Sequence, residues 1–177
     1  RIMVNKRTGD KIAISGSYQY DAYYNGPRMQ RFWHYIRLKE SAKCLNATTG
    51  DTVLDIGCGS GLFASFVSND TKAMVIGIDS NKAAIEFCQS KYSFSNLRFE
   101  EHTTDEIHFA DNSFNKVVLL EVIEHITKEQ AFELLKKIQA LLKPGGLLVI
   151  STPNKRSLWP IIEFLMDKLK LAPKMNK

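Results

Sequence analysis

The 177 residues, 44% hydrophobic and 24% charged, have the composition of a folded domain with a sizeable core, which excludes a disordered chain. No run approaches the ~18 apolar residues of a membrane span and Arg1 to Arg7 hold no signal-peptide core, so the expected compartment is the cytoplasm. The net charge of +5 is uneven: residues 155–177 carry six bases against two acids, leaving the body nearly neutral.

Taken in order, residues 1 to 16 show no periodicity. Tyr18, Tyr20, Tyr23 and Tyr24 form an aromatic segment that ends at the turn signal Asn25-Gly26-Pro27, and its residues are expected either in the core or in a lid over a ligand. From Arg28 to about Leu45 the spacing of Met29, Phe32, Trp33, Ile36 and Ala42 predicts one buried helix face. A strand is expected over Thr52 to Ile56. It leads into Gly57-Cys58-Gly59-Ser60-Gly61 and a helix with Leu62, Phe63, Phe66 and Val67 inward.

Ala73 to Ile78 reads as a second, buried strand ending at Asp79. Ser80 and Asn81 are placed to cap a helix from Lys82 to about Tyr92. Leu97 to Glu100 and Lys116 to Leu120 are the third and fourth strands, separated by a loop over residues 101–112. Thr127-Lys128-Glu129-Gln130 is a capping box opening a helix that is expected to bury Phe132, Leu135, Ile138 and Leu142. Lys143-Pro144-Gly145-Gly146 should stop that helix before the fifth strand, Leu147 to Ser151. Cys44, Cys58 and Cys88 suit neither a disulfide framework nor a zinc knuckle and read as small apolar fillers.

Strands alternating with helices predict an α/β fold: a doubly wound, mostly parallel sheet with helices on both faces. In such sheets a ligand sits outside the C-terminal strand ends, where Asp55 with the glycines, Asp79, the 101–112 loop and Glu121 all fall. A dinucleotide turn would place its third glycine where this chain has Leu62. Asp55 stands two residues before the first glycine, a poor neighbour for a pyrophosphate and a good one for an ammonium group. Asp79, 22 residues after Gly57, is placed to accept ribose hydroxyls. The combination asks for a ligand with a ribose, no phosphate and a positive charge near the glycines, a description that S-adenosylmethionine meets.

At this point the chain resembles the class I S-adenosylmethionine-dependent methyltransferases. The motifs are Val53-Leu-Asp-Ile-Gly-Cys-Gly-Ser-Gly61, Val75-Ile-Gly-Ile-Asp79, Asp111-Asn-Ser-Phe114, Glu121-Val-Ile-Glu-His125 and Leu142-Lys-Pro-Gly-Gly146, which lie in family order. The resemblance covers roughly residues 30 to 154. It implies that Asp55, Gly57, Cys58 and Gly59 line the methionine part, Asp79 the ribose, Ser80 the adenine edge, and Leu119 the cofactor through its backbone. Three departures stand out. Thr104, with Asp105 beside it, occupies the place of the family's adenine-binding Asp; Asn115 replaces the usual Asp after Phe114; and five strands are legible where the family sheet has seven, which suggests a sheet lacking its last two strands or a trimmed chain.

Methyl transfer from a sulfonium needs alignment above all, and a base only if the acceptor holds its proton. Glu121, Glu124 and His125 are the catalytic candidates, their i, i+3, i+4 spacing putting them on one helical turn. Two carboxylates and an imidazole are also a conceivable divalent-metal set, although pocket shaping without metal is favoured. Similar Glu-x-x-Glu-His runs occur in ubiquinone-pathway O-methyltransferases and in small-RNA 2′-O-methyltransferases, and the latter need a further His that does not follow His125 here. Three parts are thus expected: an aromatic segment over residues 1–27, a cofactor-binding domain over 28–154 and a basic amphipathic helix or tail over 155–177. The expected acceptor is a small molecule with a phenolic or lipid-like hydroxyl. RNA or protein as acceptor, a non-catalytic cofactor-binding subunit, and weak contact of the tail with nucleic acid or a membrane surface stay open, as does the oligomeric state.

Overall fold

The computed structural model describes residues 15–153 and, by backbone alone, 2–4 and 11–13; the basic segment 155–177 lies outside the described residues. Where no periodicity was legible, β1 (Ile2–Val4) and β2 (Lys11–Ala13) pair antiparallel, with Met3 opposite Ile12. Helix α1 (Tyr18–Tyr24) follows, then α2 (Arg28–Leu45), β3 (Thr52–Ile56), α3 (Leu62–Thr71), β4 (Met74–Asp79), α4 (Lys82–Lys91), β5 (Leu97–Glu101), β6 (Phe114–Leu120), a 3₁₀ turn (Ile123–His125), α5 (Lys128–Leu141) and β7 (Leu142–Ser151).

The last five strands form one parallel sheet in the order β5-β4-β3-β6-β7. One face carries α2, α3 and α4 over a core of Leu38, Leu45, Val53, Val67, Val75 and Cys88, and the other carries α5 over Leu54, Ile76, Val117, Leu119 and Ile138. The order reverses between β3 and β6, so the crevice of the fold opens above the C-terminal ends of those two strands. Among the described residues no helix is long and apolar enough to cross a membrane.

Local chemistry sets most boundaries. Thr127 Oγ1 accepts from Gln130 N at 3.2 Å while Thr127 N donates to Gln130 Oε1 at 3.0 Å, the capping box read from the sequence and worth about 1 kcal/mol. Asn81 Oδ1 accepts from Ala83 N and so starts α4. Asn46, left-handed at φ 46°, ends α2, and Lys116 binds the freed Leu45 carbonyl at 2.8 Å and Asp51 at 3.3 Å.

Several expectations need correction. The buried face of α2 is His34, Leu38, Ser41 and Leu45, whereas Met29, Phe32 (64% exposed) and Ile36 face solvent. The bulkiest apolar residues of that helix misled because its core contact includes small and polar side chains. Phe66 and Phe132 are likewise exposed, Leu134 and Leu141 doing what Phe132 was expected to do, and Cys44 is exposed while Cys58 and Cys88 are buried. Lys143 to Gly146 do not precede the fifth strand; they bulge from it. Phe114 pairs with Leu142 and Lys116 with Leu147, and Gly145 supplies the positive φ of 79° that the bulge requires. Asn115, opposite the bulge, accepts from Thr52 N and Lys143 Nζ, both at 3.0 Å, which gives the unexpected Asn a structural task.

Candidate cofactor site

The site grows out of the strand-turn-helix at β3. Gly57 N and Cys58 N both donate to Ile78 O, at 2.7 and 2.9 Å, so the turn is pinned to the end of β4. Gly57, Gly59 and Gly61 all have positive φ, 76°, 54° and 70°. Their surroundings differ. A Cβ on Gly57 would meet the buried Val122 Cγ2 at 2.5 Å just past the end of β6, and one on Gly59 would meet the amide of Gln19 on α1. A Cβ on Gly61 would enter the core, 2.7 Å from Phe99 Cζ and 2.8 Å from Cys88 Sγ. Buried neighbours therefore leave no room for a side chain at Gly57 and Gly61, whereas Gly59 lies beneath Gln19 of α1.

Asp79, buried at the end of β4, accepts from Gly59 N at 2.9 Å through Oδ2 and from Asn81 N at 2.8 Å through Oδ1. One side chain thus ties the glycine turn to the start of α4. Each oxygen keeps a second lone pair for a ribose hydroxyl. Asp55 is 2% exposed and its Oδ2 has no hydrogen-bond partner. Burial first and the neighbouring Asp79 second push its pKa up to about 7, against the Ala64 N–H and the Arg37 charge. Ser60 Oγ is also buried without a partner. Unsatisfied polar atoms of this kind are costly in a fold with no use for them.

Sequence reasoning missed Arg37. It projects from α2 toward the site, where burial lowers its pKa and Glu121, Glu124 and Asp55, in that order, oppose the shift. Its Nε is buried without a partner, and among the described residues it forms no ion pair. Arg37 lies one turn from the buried His34 and Ser41, on the face of α2 that packs against the sheet. Gln19 of α1 was missed as well; its Oε1 accepts from Ser60 N at 3.3 Å, laying α1 over the glycine turn, and Tyr20 packs on Phe87 and Lys91 of α4.

Of the other candidates, Cys58 is buried, and its hydrogen bond to Cys88 with burial pushes its thiol well above the usual range, which marks an inert side chain. Ser80 is exposed beside Asp79, Leu119 is fully buried at the end of β6, Thr104 is half-buried and Asp105 exposed, with Asp105 O held by Lys137 Nζ.

Glu121, Glu124 and His125 do not share one helical turn as their spacing predicted. The 3₁₀ turn begins at Ile123, and Glu121 precedes it at φ 57°, held by Ser151 Oγ at 2.7 Å on its Oε1 and by its own N–H to Ser151 O. A non-glycine residue kept in this conformation is the kind of strain that collects at functional positions. His125 Nε2 lies 3.8 Å from Glu124 Oε1. Among the described residues no group of three His, Cys, Asp or Glu is arranged to hold a metal ion.

Residues 53–146 match the family described as a methyltransferase domain. Over 122 residues the chain is 38% identical to a ubiquinone biosynthesis O-methyltransferase of Bradyrhizobium sp. (strain ORS 278), covering 67% of this chain and 46% of that protein. The chain thus spans about half the length of the curated relatives it matches. A SAM dependent methyltransferase from Archaeoglobus fulgidus superposes with a TM-score of 0.62 at 25% identity, over 89% of this chain and 66% of that one. The (4+2) cyclase SpnF superposes as well, TM-score 0.62 at 19% identity over 70% and 48%, so the fold alone does not select a reaction.

Proposed function

The chain belongs to the class I S-adenosylmethionine-dependent methyltransferase family, and from that premise we propose that it transfers a methyl group from this cofactor to a small molecule with a phenolic or lipid-like hydroxyl. The observation that carries the reading is a pair of opposite, unspent charges: the unpartnered Asp55 Oδ2 and the unpartnered Arg37 Nε, close enough for each to shift the other's titration. That pair matches an amino-acid zwitterion, Asp55 taking the ammonium of the methionine part and Arg37 its carboxylate. Gly57, Cys58 and Gly59 line its path, Asp79 takes the ribose, Ser80 and the Thr104-Asp105 turn border the adenine, and Leu119 meets the cofactor through its backbone. Helix α1, with Gln19 on Ser60 N, is the lid.

When bound, the cofactor supplies a methyl carbon already activated by its sulfonium, which leaves the chain the tasks of alignment and, for a hydroxyl acceptor, proton removal. Glu121, which Ser151 holds, and the Glu124–His125 pair are the residues to which that removal is assigned in this reading. The acceptor class rests on the likeness to ubiquinone biosynthesis O-methyltransferases.

Labelled S-adenosylmethionine supplied to the complete protein that contains this chain, with extract split into small molecules, RNA and protein, tests the acceptor. Label is expected in the small-molecule fraction; label confined to RNA or protein overturns the reading.

Asp55 also sets a pH dependence. Below pH 7 the free protein holds a proton on Asp55 that a bound ammonium displaces, so cofactor affinity should rise roughly tenfold per pH unit below about pH 6, about fivefold from 6 to 7, and level off above. The sign for stability is opposite. A carboxyl raised from 3.8 to about 7 on folding makes the free fold lose stability as pH climbs between those values. Asp55→Asn should therefore melt higher than wild type at pH 8 without ligand, yet bind more weakly and without the pH slope. Titration calorimetry and thermal melts across pH check both; an unchanged slope in the variant excludes Asp55 as the titrating group.

A further inference from the structure

Arg37 is held by its own helix. Trp33 and His34 lie one turn before it on α2, and the Trp33 ring sits 4.7 Å from the guanidinium carbon. Arg37 Nη2 is 3.5 Å from His34 Nδ1, and the His34 and Trp33 rings meet edge to face at 4.8 Å and 79°. A guanidinium can only donate, so His34 Nδ1 must accept, which fixes a neutral imidazole with its proton on Nε2. His34 is 6% exposed, on the buried face of α2 where the sequence led us to expect a bulky apolar side chain.

We propose that His34, with Trp33 as the second wall, is a positioning residue that aims Arg37 at the carboxylate of the cofactor and makes the site select cofactors bearing that carboxylate. This rests on the assignment of Arg37 under the proposed function. The arrangement is economical in chemistry. A partly buried guanidinium that must keep a donor free for a ligand cannot be neutralised by an ion pair inside the protein, because a carboxylate partner would compete for that donor. A neutral acceptor and an aromatic face restrain it without cancelling its charge. His34 keeps this state through the physiological range, since burial and then the Arg37 charge lower its pKa to about 4. Its protonated form would turn a donor toward the guanidinium and push Arg37 away.

The test compares S-adenosylmethionine with decarboxylated S-adenosylmethionine, which keeps the sulfonium, ribose and ammonium and lacks only the carboxylate. Dissociation constants of both are measured by titration calorimetry for the wild type, His34→Leu, His34→Gln, Trp33→Leu and Arg37→Met, with circular dichroism melts for each. His34→Leu should weaken the parent cofactor about tenfold, as expected for loss of a hydrogen bond that orders a charged group, and change the decarboxylated one less than about twofold. His34→Gln, which retains an acceptor, should stay within about threefold of wild type for both. Trp33→Leu carries the same selective loss from the other face and serves if His34→Leu does not fold. Equal weakening of both cofactors by His34→Leu and Trp33→Leu, or no weakening, overturns the positioning role. If Arg37→Met itself leaves the ratio between the two cofactors at its wild-type value, the assignment of Arg37 fails, and that result is distinct from a failure at His34.

Discussion

Asp79→Ala is expected to weaken S-adenosylhomocysteine binding at least ~100-fold. Two hydrogen bonds from ribose hydroxyls to a charged acceptor contribute on the order of 3 kcal/mol together, and each 1.4 kcal/mol is a factor of ten. The structure adds a second loss that the sequence did not show. Asp79 holds Gly59 N and Asn81 N, so its removal frees the glycine turn and the start of α4 together. Asp79→Asn separates the two effects, because the amide keeps one acceptor oxygen while its NH₂ opposes a backbone N–H. It should bind more weakly than wild type and melt lower, but retain more of both properties than the alanine variant. Titration calorimetry beside thermal melts gives the answer. Wild-type affinity in a folded alanine variant would remove Asp79 from the ribose site.

Gly61→Ala should lower stability by about 2–4 kcal/mol, a fall of roughly 5–15 °C in melting temperature for a chain of this size. Two causes add. The residue sits at φ 70°, where a Cβ is strained, and that Cβ would press on Phe99 and Cys88, both buried in the core beneath α3 and α4. Neither neighbour can swing aside into solvent. Ligand affinity per folded molecule should change little, because a Cβ on Gly61 would enter the core. A melt unchanged to within a degree would show that the core around Phe99 relaxes freely. A selective loss of binding would place Gly61 in the ligand surface after all.

These two residues also show what could be read from the chain and what could not. The strand ends at Asp55 and Asp79, the capping box at Thr127 and the cap at Asn81 were legible because each depends on neighbours within four residues. The packing around Gly61 was not, because it depends on Phe99 and Cys88, which reach Gly61 from elements 27 and more residues away. Arg37 escaped for a related reason: a charged residue in an amphipathic pattern reads as solvated face, and only the packing of α2 on the sheet turns it inward. The same packing reversed the expected face of α2, burying His34 and Ser41 and exposing Met29, Phe32 and Ile36. The Glu121 to His125 run was legible as a motif but not as a shape, since the positive φ at Glu121 is imposed by Ser151 on the neighbouring strand. The 155–177 segment, where an amphipathic helix or tail was expected, lies outside the described residues.

In the proposed site the glycine turn, Asp55 and Asp79 form a cradle for a cationic, phosphate-free nucleoside. Equilibrium dialysis of this chain with labelled S-adenosylmethionine, challenged in parallel with S-adenosylhomocysteine and with NAD, tests it most directly. Saturable binding at one site is expected, displaced by S-adenosylhomocysteine and untouched by NAD. Displacement by NAD, or no saturable binding by a chain that melts cooperatively, would contradict it.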